Sequence, residues 1–338
     1  MKHGHITLIV IISALVLIIA GGFLLVREQN LPISQPVRIN IPEGTDYNAL
    51  VDSLDSHGCI VSHPTFHLLS HIRGLHKHVK AGSYLLQPGS HIIQVIQKLY
   101  NGNQDPIRIT INKHRTLEHL CQFLGTKLTF SPDTMLALLK SQEVCERYGE
   151  TPQTIIGLFL QNTYEIYWTT TPTALLSRMK RESDYFWDKR QLQLQKLGLT
   201  RQQVLTIASI VEEETNANDE KPDIASVYLN RMRINMPLQA DPTVKYAIGD
   251  FTIRRILNSM LTTDSPYNTY RYAGLPPGPI CIPSTSSIDA VLKNKKTDYL
   301  FFCAKEDFSG RHNFAATSAE HSSNAQRFHK ALNNRNIH

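Results

Sequence analysis

Residues Ile6–Val26 run without one charged side chain. At 1.5 Å of helical rise per residue these 21 residues reach roughly 30 Å, the hydrocarbon thickness of a bilayer. A cleaved signal peptide is the competing reading, but it needs a shorter apolar core and a small-residue cleavage site. Ala20-Gly21-Gly22 offers small residues, yet Phe23–Val26 carries the apolar run past them. The run is therefore read as an uncleaved transmembrane helix, with Met1–His5 as a cytoplasmic tail holding Lys2. The large C-terminal part is then exported by the positive-inside tendency, although Arg27 flanks the far end. Residues 27–36, with the Pro-containing stretch EQNLPISQP, form a polar linker.

A chain of 338 residues is long enough for two domains and a sizeable core. Its net charge of +6 suits work near anionic lipid or an acidic polymer. That charge is too small to indicate nucleic acid, and no basic run interleaved with aromatics supports nucleic-acid binding. Five cysteines without CxxC spacing argue against a disulfide framework or a zinc site and read as buried thiols. Among fifteen histidines, the group His57, His63, His67, His71, His76 and His78 mixes faces and lacks a matching Cys or Asp set. These read as surface or packing histidines.

Past the linker, alternation predicts a strand at Val37–Ile41, turned by Pro42-Glu43-Gly44. Thr45 or Asp46 can cap a helix carrying Leu50, Val51 and Leu54. A helix over Thr65–Ile72, a strand at Gly82–Leu86 and a helix over Ser90–Tyr100 follow, the last ending at Asn101-Gly102. Arg38-Ile39-Asn40-Ile41 is echoed by Arg108-Ile109-Thr110-Ile111, and each precedes a Thr-led helix. Further helices are expected over Thr116–Leu124, Pro132–Ser141, Thr173–Lys196 and Ser284–Leu292, with a buried strand at Asp298–Cys303. Helices with a few separated short strands give an α+β fold class.

The stretch Thr200–Asp241 carries the chemistry. Val204, Ile207, Ala208 and Val211 recur at helical spacing and predict an amphipathic helix, with Thr200 and Gln203 as a capping box. It runs into three successive carboxylates, Glu212, Glu213 and Glu214. At about 100° per residue these point in different directions. Glu213 points away from the apolar stripe and reads as a solvated surface charge. Glu214 falls beside Ile207, Ile210 and Val211, and Glu212 on the other margin near Leu205, Ala208 and Ser209. A carboxyl held against apolar side chains is poorly solvated, so its pKa rises and it can keep the proton that a general acid needs. Most carboxylates at a helix margin are merely solvated or salt-bridged, so spacing alone leaves the choice open.

The segments ASIVEEET (Ala208–Thr215), SVYLNRM (Ser226–Met232) and LQADPTVKY (Leu238–Tyr246) resemble the YceG-like family of MltG-type endolytic murein transglycosylases. SPYNTYRYAGLPPGPICIP (Ser265–Pro283), YLFF (Tyr299–Phe302) and HNFAATSAEH (His312–His321) do so too, in the family's order and at about its spacing. The resemblance covers nearly all of the chain after residue 36. It implies that the catalytic acid is the Glu followed by Thr, here Glu214-Thr215, with Glu212 in reserve. It implies a LysM-like α+β module over 37–104, which either holds N-acetylglucosamine-containing glycan or spaces the enzyme from the membrane. A larger α+β catalytic domain over 105–338 follows. The implied substrate is peptidoglycan glycan strands, the implied partners are peptidoglycan synthases, and the implied location is the inner membrane with the catalytic part periplasmic. The chain departs from the pattern at Ile156, where the family more often has Glu, so Ile156–Tyr167 receives no catalytic role. It departs again at Ser284, where Gly is common.

Breaking a glycosidic bond takes a proton on the departing oxygen and support for an oxocarbenium-like centre. Glu212 and Glu214 cannot form a glycosidase pair, because positions i and i+2 point about 200° apart on a helix. Asp241 is a second carboxylate at a distance, although Asp before Pro also forms turns, and the turn reading is preferred. One acid suffices where, as the resemblance implies, the C6 hydroxyl of N-acetylmuramic acid attacks its own anomeric carbon and leaves a 1,6-anhydro sugar. No cofactor and no metal is called for. Asn230, Gln239, Asp241, Thr243, Tyr267, Asn268 and Tyr270 are the substrate-binding candidates. Amides and hydroxyls match sugar hydroxyls and N-acetyl groups, and aromatic faces match sugar CH faces. Gly274–Pro279 lacks the ending of a phosphate loop and is expected to brace the cleft. His312 and Glu320-His321 read as a structural network in preference to a zinc pair. Two rivals stay open: a non-catalytic glycan-binding scaffold of cell-wall synthesis, and a hydrolase using Glu214 with Asp241.

Overall fold

The computed structural model describes residues 12, 13, 16, 30–60 and 62–335. Apart from Ile12, Ser13 and Val16, the anchor expected at Ile6–Val26 lies outside the described residues. Among the described residues no helix is long and apolar enough to cross a membrane. The fold is α+β, with thirteen α-helices and three two-stranded sheets among those residues. Two compact units divide the chain.

The first unit runs to Arg108 and includes Glu165–Thr170. Its order is β1 (Val37–Ile41), α1 (Tyr47–Ser56), α2 (His63–Arg73), β2 (Gly82–Leu86) and α3 (Ile92–Asn101). β1 and β2 pair antiparallel, with Ile39 opposite Tyr84. Period-two alternation turns Ile39 and Ile41 inward onto Leu50, Leu54, Phe66, Leu75 and Ile96. Asp46, not Thr45, caps α1 by accepting a 2.8 Å hydrogen bond from the Ala49 amide. Gly102 takes the left-handed conformation that ends α3.

β3 (Ile107–Ile111) pairs with β4 (Asn162–Ile166), and the division between the units falls inside these strands. The second unit holds α4 (Leu117–Gly125), α5 (Pro132–Lys140), α6 (Gln142–Arg147), α7 (Pro172–Asp188) and α8 (Gln191–Leu197). The single helix expected over Thr173–Lys196 is thus two. Arg190 leaves helical geometry as its guanidinium bonds the Asp289 carboxylate and lies 3.7 Å over the Phe186 ring. Next come α9 (Arg201–Glu214), α10 (Lys221–Arg233), α11 (Asp241–Ile248) and α12 (Thr285–Lys293). β5 (Phe301–Ala304) pairs antiparallel with β6 (His312–Ala315), and α13 (Ser318–Asn334) closes the unit. β5 is half-buried rather than buried, as a strand of a two-stranded ribbon is covered only in part.

α9 is the centre of this unit. Its capping box forms, with Thr200 Oγ1 accepting from the Gln203 amide and the Gln203 side chain accepting from the Thr200 amide. The expected amphipathic pattern does not hold, because Val204 through Val211 are buried without interruption. α10, α11 and α12 pack on it, and the GLPPGP loop covers a further side. The Ile280 amide there donates to Ser209 Oγ at 3.0 Å. A side-chain carbon on Gly278 would sit 2.2 Å from the Gln153 carbonyl oxygen, so only glycine lets the loop approach this closely.

Candidate active site

α9 ends on Glu212, Glu213 and Glu214. Acidic side chains at the negative end of a helix dipole are disfavoured when ionised. Partners from elsewhere must therefore hold each one, and the three partners differ completely. Glu213 is not solvated as expected. Its carboxylate accepts from Arg115 Nε at 3.1 Å and Nη2 at 2.8 Å, lies 3.2 Å from Lys113 Nζ, and is only 11% exposed. The residues just before α4 cover the side of α9 that local periodicity assigned to solvent.

Glu212 turns toward the start of α12. Its Oε2 accepts from the hydroxyls of Ser284 and Ser287 and from Lys221 Nζ at 3.0 Å. Ser284 is the N-cap of α12, so this residue both starts a helix and anchors the carboxylate. Burial pushes the Glu212 pKa up, but the two hydroxyls and the Lys221 ammonium outweigh it and hold the group below the usual carboxylate range. The reserve candidate for the acid is thus locked in its ionised form.

Glu214 meets a single donor. The Tyr228 hydroxyl donates to its Oε1 at 2.6 Å from a fully buried ring on α10, which packs edge-on against Phe302. Glu214 is half-buried and faces an open cleft of about 390 Å³. Burial is the main cause that pushes its carboxyl up to about 7, and the negative charge of Asp241 adds to it. The Tyr228 hydrogen bond and the positive charge of Lys245 act the other way. A carboxyl in that range can give up and take back a proton near neutral pH.

Of the binding candidates, Gln239, Asp241 and Tyr270 line this cleft. The Tyr270 hydroxyl donates to Asp241 Oδ1 at 2.6 Å. Asp241 opens helix α11 rather than forming a turn, because Pro242 suits a first-turn position. Gln239 is exposed, lines the cleft and holds a left-handed backbone at φ 48°, a conformation that costs a non-glycine residue energy. The other four are not in the cleft. The Asn230 amide donates to the Thr297 and Tyr299 carbonyls, tying α10 to the segment just before β5. Thr243 is buried between the Ala240 carbonyl and the Thr269 hydroxyl. Asn268 is buried and donates to the Leu261 and Thr263 carbonyls. Tyr267 packs on Tyr246 with ring centroids 4.6 Å apart, in a separate concavity.

The cleft also holds Tyr228, Arg231, Phe301, Phe302 and His321, which sequence reading did not select. Tyr228 and Arg231 stand one helical turn apart in SVYLNRM, so the sequence places them on one face of α10. Arg231 donates to the Leu300, Pro237 and Leu238 carbonyls and fixes the rim. His321 stacks on Phe301 at 5.2 Å. His312 bonds Glu220 through its amide and Nδ1, at 3.0 and 3.2 Å. No group of three His, Cys, Asp or Glu among the described residues is placed to hold a metal ion.

The sequence pattern of the YceG-like family matches residues 39–327. The chain belongs to the YceG-like family. A Bacillus subtilis (strain 168) protein named endolytic murein transglycosylase is 30% identical over 337 residues, covering 94% of this YceG-like chain and 92% of that protein. A protein of the same name from Streptococcus pneumoniae serotype 2 is 26% identical, and this chain spans 64% of its length. The crystal structure of a yceG-like protein from Listeria monocytogenes superposes with a TM-score of 0.57 at 28% identity, over 86% of this chain and 99% of that one.

Proposed function

We propose that this protein is an endolytic murein lytic transglycosylase that cuts nascent glycan between N-acetylmuramic acid and N-acetylglucosamine. The observation that carries the reading is the Glu214 carboxyl, poised at about 7 on the wall of an open cleft. The names of the Bacillus and Streptococcus relatives support the substrate class. Protonated Glu214 gives its proton to the glycosidic oxygen as the bond from the anomeric carbon breaks. The Glu214 carboxylate then takes the proton of the C6 hydroxyl as that oxygen closes on the anomeric carbon. The product is a 1,6-anhydro end, no water is consumed, and the acid is regenerated. Tyr228 holds one Glu214 oxygen, so the other is left to face the substrate. Gln239, Asp241 and Tyr270 bind sugar hydroxyls and N-acetyl groups, while Glu212 serves structure.

In the same reading, Ile6–Val26 anchors the protein in the cell membrane with residues 105–338 acting outside the cytoplasm, beside peptidoglycan synthases. Residues 37–104 act as a LysM-like module, and the order of β1, two helices and β2 supports that likeness. Mass spectrometry of products from uncross-linked glycan tests the function. Anhydro ends are expected, and they disappear in Glu214→Gln. Reducing ends carrying an added water would instead favour the hydrolase with Asp241, and turnover-free binding would favour the scaffold.

A further inference from the structure

One helix runs from the cleft at Glu214 to a second concavity of the same unit. Asp241 opens α11 on the wall of the cleft, and the same helix continues away from it for 8 residues, roughly 12 Å. Pro242, Lys245 and Tyr246 on α11 line a narrow recess of about 50 Å³ together with Arg115 and Glu213. Lys245 has no carboxylate partner there, whereas Glu213 is saturated by Arg115 and Lys113. Tyr246 is shared with a second wide concavity of about 400 Å³. That space has the mixture a sugar-binding site needs. The Tyr246 and Tyr267 rings meet at 4.6 Å with a 45° tilt, and Leu117, Ile156 and exposed Gln153 line the wall with them. The Glu118–Lys140 ion pair, 2.7 Å apart, stands at its edge. Aromatic faces stack on the CH faces of sugars while amides and charged groups take the hydroxyls.

We propose that the Tyr246–Tyr267 concavity is a distal subsite for the glycan strand cut at Glu214, reached along α11. The inference rests on the glycan-cleaving function above and adds where the strand runs. A cut inside a strand gains from hold on sugars beyond the two flanking the broken bond, and α11 links the two places, with Asp241 on the cleft and Tyr246 in this concavity. The test compares kcat/KM of the full chain on uncross-linked tetrasaccharide and octasaccharide of alternating N-acetylglucosamine and N-acetylmuramic acid. Wild type is expected to prefer the octasaccharide. Tyr246→Ala and Gln153→Ala each lower kcat/KM on it by about tenfold, mainly through KM, so that the preference collapses. An octasaccharide preference that survives in both folded variants overturns the subsite. Should Tyr246→Ala not fold, Gln153→Ala carries the kinetic test alone. A readout independent of turnover is calorimetric titration of Glu214→Gln protein with octasaccharide, expected to weaken about tenfold on adding Gln153→Ala. Unchanged affinity refutes the subsite and leaves the Glu214 chemistry standing. Weakened affinity, with no anhydro product from wild type, refutes the chemistry and leaves the subsite.

Discussion

The two ends of one carboxylate run meet opposite surroundings. On the Glu212 side, two serine hydroxyls and an almost fully buried ammonium converge on a single oxygen. On the Glu214 side, one tyrosine hydroxyl reaches the carboxyl and a neighbouring carboxylate adds negative potential. The residue type and the helix are the same, and burial raises the pKa in both places. What differs is the number and charge of the donors. A buried carboxyl given four donors, one of them an ammonium, is held ionised, and one given a single neutral donor keeps a raised pKa. Two acids two residues apart are thus pushed in opposite directions from the usual carboxylate range.

The largest effect that sharpens this contrast is on turnover. Glu214→Gln should lower anhydro-product formation by up to about 10⁴-fold while the protein stays folded. Loss of the fold alongside activity would dissolve the distinction. Glu212→Ala should do the reverse and destabilise the fold by ~3–5 kcal/mol in denaturant titration, since Lys221 is left buried without its carboxylate. A stability close to wild type would show that the Glu212 cluster is not an anchor. Tyr228→Phe removes the donor that favours ionised Glu214, so the alkaline limb of the kcat profile should move up by about one pH unit. A limb that stays in place, with activity merely scaled down, would mean that Tyr228 packs without tuning the acid.

The contrast also shows in stability against pH. Glu214 has a raised pKa in the folded protein, so folded Glu214 stays protonated where the unfolded chain has ionised it. Stability is therefore lost as pH rises from about 4.3, the unfolded value, to about 7. The melting temperature of Glu214→Gln relative to wild type should climb across that window and then level. Glu212 has the opposite sign. Its contribution is present above the unfolded value and fades as pH falls through its lowered folded value, so the penalty of Glu212→Gln should shrink in acid. Parallel melting curves for either variant and wild type would contradict the assigned direction for that residue.

Much of the local structure was legible because its causes are local. Capping at Thr200, the strands at Val37–Ile41 and Gly82–Leu86, and the helix end at Gly102 follow from residues within a few positions of one another. The site was legible in part. Glu214, Gln239, Asp241 and Tyr270 do come together. Asn230 and Asn268 looked like sugar binders because an amide carries no label for its partner, and theirs are backbone carbonyls of the protein itself. The fate of Glu213 was hidden because Arg115 lies 98 positions earlier in the chain. Helical periodicity likewise failed for α9, since a helix covered from several sides has no solvent face to alternate with.

Gly278 gives the site a weak point far from any charge. The chain there touches the Gln153 carbonyl across a gap that admits only hydrogen, and two residues on, the Ile280 amide grips α9 one turn ahead of Glu212. Even the smallest chiral replacement would wedge these segments apart and tug on the helix that carries all three acids. The position of the Glu214 carboxyl at the cleft thus depends on a spot where the protein keeps no side chain at all.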